Sequence, residues 1–472
     1  MTSLSSPESP LPVRPLAAVV LAAGKGTRMK SNRPKVLHQV AGRPMLAHVL
    51  AAADALAPER RLVVVGPGME HVAAAATPWT AVVQETQRGT GDAVAAALPA
   101  LDGFAGDVLV VLGDTPLLTS ETLRRLVDAR SAAEGQGAAV AVLGFRAADP
   151  GPYGRLIQGP GGGLERIVEA VDATPEERAV DLCNSGVLLF DGARLAELVG
   201  AIGCDNAKGE YYLTDAVGLA RARGWAGVVA EAPAVEVHGV NSRADLAAAE
   251  ALMQERLRAR AMAEGATLID PATVHLSWDT RLGTDVTVEP HVWFGPGVTV
   301  GDGVEIGAFS HLEGATVADD ARVGPFARLR PGAVVGAAAH VGNFVELKNA
   351  VLGDGAKANH LTYLGDATVG PGANIGAGTI TCNYDGFLKH RTEIGAGAFI
   401  GSNSALVAPV RVGDRANVGA GSVVGRDVPD DAFAVSRGET TVREGGAARY
   451  RARLKAQKDR RGASGQNRSG QS

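Results

Sequence analysis

A glycine-rich stretch with two cations follows the first apolar segment of the chain: LAAGKGTRM, residues 21–29. Glycine lets the backbone pass close to a ligand, so that successive N–H groups can point at phosphate oxygens. The spacing GKGTR also brings Lys25 and Arg28 to the same loop. The stretch matches neither GxxxxGK[ST] nor GxGxxG. Two interpretations stay open: a nucleotide-binding loop, or a plain strand-to-helix turn with solvated cations.

Several apolar runs between Leu16 and Asn241 must position this loop. LAAVVLAA, RLVVVG, DVLVVLGD, AAVAVLGF and GVLLF alternate with helical patterns. Continuous apolar strands between helices predict a mostly parallel sheet covered on both faces. Ligands of such sheets lie at the carboxyl ends of the strands. The glycine loop ends one strand and Asp114 follows another, so both are predicted at the same edge.

A helical pattern then connects two regions of different period. Residues 242–265, SRADLAAAEALMQERLRARAMAEG, place Leu246, Met253, Leu257 and Ala261 near one helical face. Ser242 is suited to cap the start of the helix. We interpret this segment as a connecting helix.

Beyond the helix the sequence repeats every six residues. An aliphatic residue, usually followed by glycine, recurs from Leu282 to Leu312, resumes from Val317 to Leu364, and keeps the register from Ile394 to Val424. Neither a helix nor a simple strand explains a period of six. Short strands joined by glycine turns and stacked in coils do explain it, which predicts a parallel β-helix. The run breaks at TCNYDGFLKHRTE, where we expect a loop to leave the coils.

Bulk composition excludes some classes of function. A length of 472 residues suggests two to four domains, of which we expect two. The formal charge of -5 argues against a general nucleic-acid binder. Three scattered cysteines fit neither a disulfide framework nor a zinc site, which suits a cytoplasmic protein. No apolar stretch approaches the roughly 20 residues that span a bilayer, and both termini are predicted to be disordered tails.

Ordered motifs in both halves resemble one known family. In the first half these are LAAGKGTRM, RPKVLH, QRGTGDAV, VLGDTPLL, PYGRLI, IVEAVDA, CNSGVLLF and VHGVNSRADL. In the second half they are PFARLRPG, VGNFVELKN, NHLTYLGDATVG, NIGAGTITCNYDG and AVSRG. Together they resemble the bacterial bifunctional enzymes that combine N-acetylglucosamine-1-phosphate uridyltransferase and glucosamine-1-phosphate N-acetyltransferase activities. The resemblance covers roughly Leu16 to Tyr450.

The resemblance implies a fold and a domain organisation. We expect a Rossmann-like α/β nucleotidyltransferase domain followed by a left-handed parallel β-helix of hexapeptide repeats. The expected boundaries are 1–14 for a disordered tail, 15–241 for the uridyltransferase domain, 242–265 for the linker helix, 266–450 for the acetyltransferase domain and 451–472 for a second disordered tail.

For the first half, the resemblance implies a site for UTP, N-acetylglucosamine-1-phosphate and Mg²⁺. Arg28 and Lys35 would stabilise the charge that gathers on phosphate oxygens during uridyl transfer. Asp114 and Asn241 would hold the metal, which prefers oxygen ligands and keeps several waters. Leu112 departs mildly from the family pattern, in which a polar aromatic residue can precede the Gly-Asp pair. The residues expected around UDP-N-acetylglucosamine are Leu21, Ala22, Ala23, Gly24, Lys35, Gln84, Gly89, Thr90, Leu112, Gly113, Asp114, Gly154, Glu169, Asn184 and Asn241.

For the second half, the resemblance implies acetyl transfer from acetyl-CoA to glucosamine-1-phosphate. It selects His360 as the general base, since a neutral imidazole suits proton removal near pH 7. The chain position alone does not select His360, because other histidines also lie in the repeats. The residues expected to bind glucosamine-1-phosphate are Arg330, Lys348, Tyr363 and Asn374, and those expected to line the acetyl-CoA groove are Ala377, Asn383, Tyr384, Ser402, Ala420 and Arg437.

The family also implies a cytoplasmic homotrimer, assembled through the β-helix, that feeds peptidoglycan and cell-envelope synthesis. Its expected ligands are small molecules, with no nucleic acid and no membrane. Two other interpretations stay open. One is a pyrophosphorylase whose repeats are only regulatory, although such enzymes lack the NHLTYLGD and TCNYDG pair. The other is a binding module with an inactive nucleotide domain, although Arg28, Lys35, Asp114 and Asn241 are all present.

Overall fold

The computed structural model describes residues 14–133 and 138–466. These residues form two compact units. The first comprises residues up to Asp302 together with His311–Gly314, and the second comprises Gly303–Ser310 and the chain from Ala315 onward. The first unit thus includes part of the repeat region. Of the two predicted tails, residues 1–13 and 467–472 lie outside the described residues.

A nine-stranded sheet organises the first unit. Its strand order is β5-β4-β1-β6-β10-β7-β11-β9-β8. Strands β5, β4, β1 and β6 pair in parallel, as predicted. The prediction missed β10, the strand that contains GVLLF, which runs antiparallel to both β6 and β7. The strand bounds are β1 Leu16–Leu21, β2 Gln39–Val40, β3 Arg43–Pro44, β4 Arg60–Val65, β5 Thr80–Val83, β6 Asp107–Leu112, β7 Ala138–Arg146, β8 Arg155–Gln158, β9 Leu164–Val168, β10 Leu182–Asp191 and β11 Ala226–Glu231.

Helices cover both faces of this sheet. Successive residues of β1 point to opposite faces, so that Ala18 and Val20 join one apolar cluster while Ala17 and Val19 join the other. Two-sided burial explains why the strands read as continuous apolar runs. The helix bounds are α1 Met45–Asp54, α2 Glu70–Ala75, α3 Thr90–Ala97, α4 Ser120–Ala132, α5 Pro175–Arg178, α6 Gly192–Gly200, α7 Asp215–Ala222, α8 Arg243–Ala263 and, in the second unit, α9 Gly446–Gln466.

A buried ion pair lies near the start of β6, at the end of the sheet away from the glycine loop. Arg130 of α4 is fully buried, and its Nη1 lies 2.8 Å from Oδ1 of Asp107. Arg14 also approaches this carboxylate, at 3.0 Å from its Nε. Arg14 therefore contacts the folded unit, although it was expected to belong to the loose N-terminal tail.

Helix α8 covers most of the segment predicted to be helical, residues 242–265. The Ser242 side chain accepts a hydrogen bond from the backbone N–H of Asp245, and the Asp245 carboxylate accepts one from the Ser242 N–H. This reciprocal cap satisfies two N–H groups that the first turn leaves without partners. Met253, Leu257 and Ala261 are buried, as the helical pattern predicted.

The repeat region consists of short parallel strands. In the first unit these are β12 Thr267–Leu268, β13 Arg281–Leu282, β14 Thr287–Val288, β15 Trp293–Phe294, β16 Thr299–Val300 and β18 His311–Leu312. In the second unit they are β17 Glu305–Ile306, β19 Ala315–Val317, β20 Arg322–Val323, β21 Arg328–Leu329, β22 Ala333–Val335, β23 His340–Asn343, β24 Glu346–Leu352, β25 Lys357–His360, β26 Tyr363–Val369, β27 Asn374–Ile375, β28 Ile380–Cys382, β29 Thr392–Ile394, β30 Phe399–Ile400, β31 Ala405–Val407, β32 Val410–Val412, β33 Asn417–Val418, β34 Val423–Val424 and β35 Phe433–Ala434.

The second unit is a left-handed parallel β-helix of hexapeptide repeats. Three ladders of strands run along it. In one ladder His340 pairs with Lys357, in the next Glu346 pairs with Tyr363, and in the third Ala350 pairs with Ala367. Strand β24 contributes both Glu346 and Ala350 because it continues from one ladder into the next. The repeated aliphatic positions form its core, and each of those predicted from Val317 to Val424 is buried. The same holds in the first unit from Val288, whereas Leu282 is only half-buried.

Two segments leave the coils. Residues 383–391 form the loop that the break in the repeat predicted, closed where the His390 N–H donates to the Asn383 carbonyl at 2.8 Å. The C-terminal segment differs from its prediction, because residues 451–466 belong to α9 rather than to a disordered tail. Alanine, arginine and lysine favour a helix without needing a buried face. No helix in the described part of the chain is long and apolar enough to cross a membrane.

Candidate active sites

The glycine loop folds over a lysine. Strand β1 ends at Leu21, and Gly26 adopts a left-handed conformation with φ of 60°. A Cβ atom on Gly26 would lie only 2.5 Å from Cβ of Lys35. Gly26 is therefore required for both its backbone angle and its close approach to Lys35. By contrast, Gly24 faces open space, and Lys25 is exposed.

Lys35 lies at the centre of a polar cluster. Its Nζ contacts Oδ2 of Asp114 and lies 3.0 Å from Oδ1 of Asn241. Arg28 donates to the same Asn241 oxygen, also at 3.0 Å. Asp114 follows β6 and Asn241 precedes the cap of α8, so three distant segments meet here. The structure thus brings together the four residues proposed for phosphate and metal binding.

A cavity of about 300 Å³ adjoins this cluster. Some of the residues that line it were expected to bind UDP-N-acetylglucosamine, and others were not predicted as site residues. Among the latter are Tyr153, Ser185 and Thr214. The expected residues that line the cavity are Leu21, Thr90, Leu112, Asp114, Gly154, Glu169, Asn184 and Asn241.

The sugar candidates occupy one wall of the cavity. Burial raises the pKa of Glu169, although a hydrogen bond from the Thr214 hydroxyl at 3.3 Å opposes that rise. Asn184 is buried, and its backbone N–H donates to the Gly154 carbonyl at 2.8 Å. Gly186 also makes room for Leu112, since a Cβ on Gly186 would lie 2.6 Å from Cδ1 of that leucine.

The remaining expected residues do not line the cavity. Gln84 is buried, and its amide donates to the Gly89 carbonyl at 3.1 Å and to the Asp92 carboxylate at 2.8 Å. Sequence reasoning missed Gln87, whose amide donates to the Ala23 carbonyl inside the glycine loop. The only sequence feature that could have identified Gln87 is its position within the motif TQRGTGD. The other expected residues outside the cavity lining are Ala22, Gly24, Lys35 and Gly113.

In the second unit, His360 borders a cavity of about 460 Å³. Two exposed phenylalanines, Phe326 and Phe344, form part of its wall. His340 also lines it, and burial lowers the pKa of that histidine, with the charges of Arg322 and Lys357 adding to the effect. The expected base therefore lies at the edge of an open cavity, on the last residue of β25.

A cationic cluster contains one of the expected phosphate ligands. The ammonium of Lys389 beside Lys348 lowers the pKa of Lys348. Lys389, in the 383–391 loop, was not predicted as a site residue, although its charge in that loop was visible in the sequence. Arg330 instead pairs with Glu346, with Nη1 at 2.8 Å from Oε1. Two like charges held together favour an anionic ligand between or above them.

Gly365 allows close packing of Tyr363, expected to bind glucosamine-1-phosphate, and Asn383, expected to line the acetyl-CoA groove. A Cβ on Gly365 would lie 2.3 Å from the hydroxyl oxygen of Tyr363 and 2.8 Å from Nδ2 of Asn383. Asn383 donates to the carboxylate of Asp366 at 2.6 Å. Asn374 lies apart from this group, because β27 belongs to the ladder of β25.

The acetyl-CoA candidates form a column above His360. The carbonyl of His360 accepts from the N–H of Gly378 at 3.3 Å, and that of Ala377 accepts from Asn403 at 2.7 Å. On the next coil, the Ser402 carbonyl accepts from Gly421 at 2.8 Å. Arg437 completes the column by donating to the Ala420 carbonyl at 3.2 Å. Tyr384 lies in the neighbouring loop and is exposed.

Fold and sites together define a nucleotidyltransferase joined to a hexapeptide-repeat transferase. Residues 18–158 match the model of the MobA-like NTP transferase domain, and residues 391–426 match that of the bacterial transferase hexapeptide with six repeats. The match to the second model includes the coils that carry Ser402 and Ala420.

Whole-chain relatives identify the family. The chain is 62% identical to the bifunctional protein GlmU of Rhodospirillum rubrum over 93% of this chain and 98% of the relative. It is 57% identical to the protein of the same name from Paramagnetospirillum magneticum, over 94% and 98%. The GlmU protein of Xanthobacter autotrophicus is also 57% identical, over 93% and 98%. The chain belongs to the GlmU family of bifunctional proteins.

Proposed function

We propose that this chain makes UDP-N-acetylglucosamine in two steps, one at each site. The β-helix transfers an acetyl group from acetyl-CoA to glucosamine-1-phosphate, and the α/β unit then transfers uridylate from UTP to the N-acetylated product. The observation that carries the proposal is that one chain holds both the Lys35–Asp114–Asn241 cluster and the column leading from His360. The product is a precursor for peptidoglycan and the cell envelope.

In the acetyl transfer, the sugar amine attacks the thioester carbonyl carbon. A C–N bond forms, the C–S bond breaks, and CoA leaves with its sulfur. The amine must lose a proton during this step, and His360 is the base that receives it. Lys348, with Lys389 beside it, offers positive charge to the sugar phosphate. The column of Ala377, Ser402 and Ala420 offers a narrow surface along which the pantetheine arm can lie.

In the uridyl transfer, a phosphate oxygen of the sugar attacks the α-phosphorus of UTP. The new P–O bond replaces the bond to pyrophosphate, which leaves with its negative charge. Arg28 and Lys35 stabilise that charge, because both donate to the side chain of Asn241, which lines the cavity. Glu169 and Asn184, which line the cavity, orient the sugar.

The polar cluster fits a magnesium ion. Oδ1 of Asp114 is buried and makes no hydrogen bond to any described residue, so this oxygen is available to a cation. The Asn241 side-chain oxygen approaches the same Lys35 ammonium. Mg²⁺ bound to Asp114 and Asn241 would supply positive charge to the phosphate oxygens. Only a few protein ligands are needed, because Mg²⁺ keeps several waters.

We further propose a homotrimer that assembles through the β-helix. A column of apolar side chains supports this assembly: Phe309, Phe326 and Phe344 stack with ring centroids 5.0 and 5.1 Å apart, and Leu361 follows on the next coil. All four are exposed, the leucine by 62%. Exposed apolar columns of this kind mark interaction surfaces. The rings of Phe326 and Phe344 also border the His360 cavity.

Light scattering tests the proposed trimer. Phe326→Asp should be monomeric, whereas Phe433→Asp, at an exposed position on a different column, should stay trimeric.

One assay tests both activities. The purified chain is supplied with glucosamine-1-phosphate, acetyl-CoA, UTP and Mg²⁺, and both CoA and UDP-N-acetylglucosamine are measured. We expect both products. A regulatory β-helix would release no CoA, and an inactive nucleotide domain would release CoA without the nucleotide sugar. Either result would reject the proposal of two activities. These substrates are available in the cytoplasm, where we propose that the protein acts.

A further inference from the structure

The side chain of Asn343 contacts the imidazole of His360. Nδ1 of His360 lies 2.6 Å from Oδ1 of Asn343. The two residues end strands β23 and β25, in which they are directly paired. An amide oxygen only accepts hydrogen bonds, so Nδ1 must carry the hydrogen in this contact. The other ring nitrogen, Nε2, is then the one that can accept a proton.

The backbone holds this pair together. A Cβ on Gly342 would lie 2.0 Å from the Asn359 carbonyl oxygen, so glycine is required for the coils to approach so closely. The N–H of Leu361 donates to the Asn343 carbonyl at 3.0 Å, which fixes the residues that follow His360. Phe344 and Leu361 both adopt left-handed angles, with φ of 56° and 53°. The two side chains thus leave equivalent corners of successive coils.

We propose that Asn343 is the positioning residue for His360. It holds the proton of the neutral ring on Nδ1 and leaves Nε2 free to receive the proton of the sugar amine. Free neutral imidazole prefers the opposite tautomer, in which Nε2 carries the hydrogen and cannot act as a base. The hydrogen bond to Asn343 reverses that preference and also fixes the ring plane. The inference rests on the proposed role of His360 as the base.

The charged groups near His360 bear on why its hydrogen-bond partner, Asn343, is an uncharged amide. His340 lines the same cavity, and its pKa is lowered in part by the charges of Lys357 and of His360 itself. Arg322 also lowers it, although Arg322 pairs with Glu305 at 3.4 Å and the charge of Glu305 opposes the effect. In these surroundings an uncharged amide selects the tautomer without stabilising the imidazolium as a carboxylate would. Asn343 therefore orients the ring and holds its hydrogen on Nδ1 without adding a charge beside it.

Two substitutions in the full-length protein separate this role from a structural one. Asn343→Leu should lower the kcat of acetyl transfer by about 10- to 100-fold, less than the loss of the base itself, with little change in KM. Asn343→Asp keeps the acceptor oxygen but adds a negative charge. It should retain more activity than the leucine variant, and the acid limb of its pH profile should move up by about 1 pH unit, because the carboxylate favours the imidazolium.

Controls make each outcome decisive. Asn417→Leu places the same change on an exposed strand residue of the β-helix and should leave both activities unchanged. A wild-type rate in Asn343→Leu, or an unmoved acid limb in Asn343→Asp, would overturn the inference. If the leucine variant does not fold, the pH profile of the aspartate variant decides alone. Normal acetyl transfer by His360→Ala would instead reject the proposed base, which distinguishes the two failures.

Discussion

The two sites are built in opposite ways. In the α/β unit, Lys35 and Asn241 are 206 residues apart in sequence and meet only because strand ends converge at one edge of a sheet. In the β-helix, Asn343 and His360 are 17 residues apart and meet because successive coils stack in register. The first site depends on the whole topology of its unit, whereas the second depends on a local repeat. Substitutions should therefore act on one site without reaching the other.

The largest expected effect separates the two reactions. His360→Ala should lower acetyl transfer by about 10²- to 10⁴-fold, the usual contribution of a positioned base. Acetyl-CoA binding should change little, because the column of Ala377, Ser402 and Ala420 does not include the imidazole. Uridyl transfer from supplied N-acetylglucosamine-1-phosphate should stay at the wild-type rate. Both rates and the melting temperature are measured on one sample, and near-normal CoA release would show that His360 is not the base.

The converse substitution tests the α/β site. Asp114→Ala should lower uridyl transfer by about 10²- to 10³-fold, comparable to removing a preorganised charge from an active site. It also leaves the Lys35 ammonium without its carboxylate partner. Asp205→Ala, at an exposed position that does not line the cavity, is the matched control and should have no effect. A parallel loss of acetyl transfer would contradict the independence of the two sites.

The two constructions also explain what could be predicted from the sequence. The period of six predicted the buried positions from Val288 to Val424, because each coil repeats the environment of the one before it. The cap at Ser242 was predictable for a similar reason, since it needs only residues three apart. These features depend on local spacing alone.

Features that depend on long-range topology escaped prediction. The antiparallel run of β10, the contact of Gln87 with the Ala23 carbonyl and the buried pair of Asp107 with Arg130 all join segments far apart in sequence. Gly26 is close to Lys35 in sequence, but its role also escaped prediction, because only the folded loop shows that the lysine lies beneath it. The residues proposed for both sites came from a resemblance. The structure supplies their geometry, and their catalytic roles stay predictions.

The pH dependence of stability should reveal a buried histidine in the α/β unit. Burial lowers the pKa of His48 in the α/β unit from 6.5 to about 4. Above pH 6.5 the ring is neutral in both the folded and unfolded chain. As the pH falls from 6.5 toward 4, the unfolded chain takes up the proton first, so the folded unit loses up to about 3 kcal/mol.

Tryptophan fluorescence can report this loss selectively. The four tryptophans, at positions 79, 225, 278 and 293, all lie in the first unit. Urea unfolding between pH 7 and pH 4.5 should show a falling midpoint, and His48→Gln should flatten that fall. His71→Gln, on the exposed surface of α2, is the control. An equal pH dependence in wild type and His48→Gln would show that His48 is not responsible.

The smallest effect concerns the junction between α8 and the first coils, within the first unit. The Gln254 side chain is buried, donates to the Leu276 carbonyl at 2.7 Å and accepts from the Leu276 N–H at 2.9 Å. Gln254→Ala leaves both backbone groups without these partners and should cost about 1–3 kcal/mol. Glu255→Ala, the exposed neighbour on α8, should change stability little. Fluorescence-detected urea unfolding compares them, and both activities should persist in the folded variant because neither site uses Gln254. A midpoint for Gln254→Ala equal to that of Glu255→Ala would mean that the two hydrogen bonds of Gln254 do not stabilise this junction.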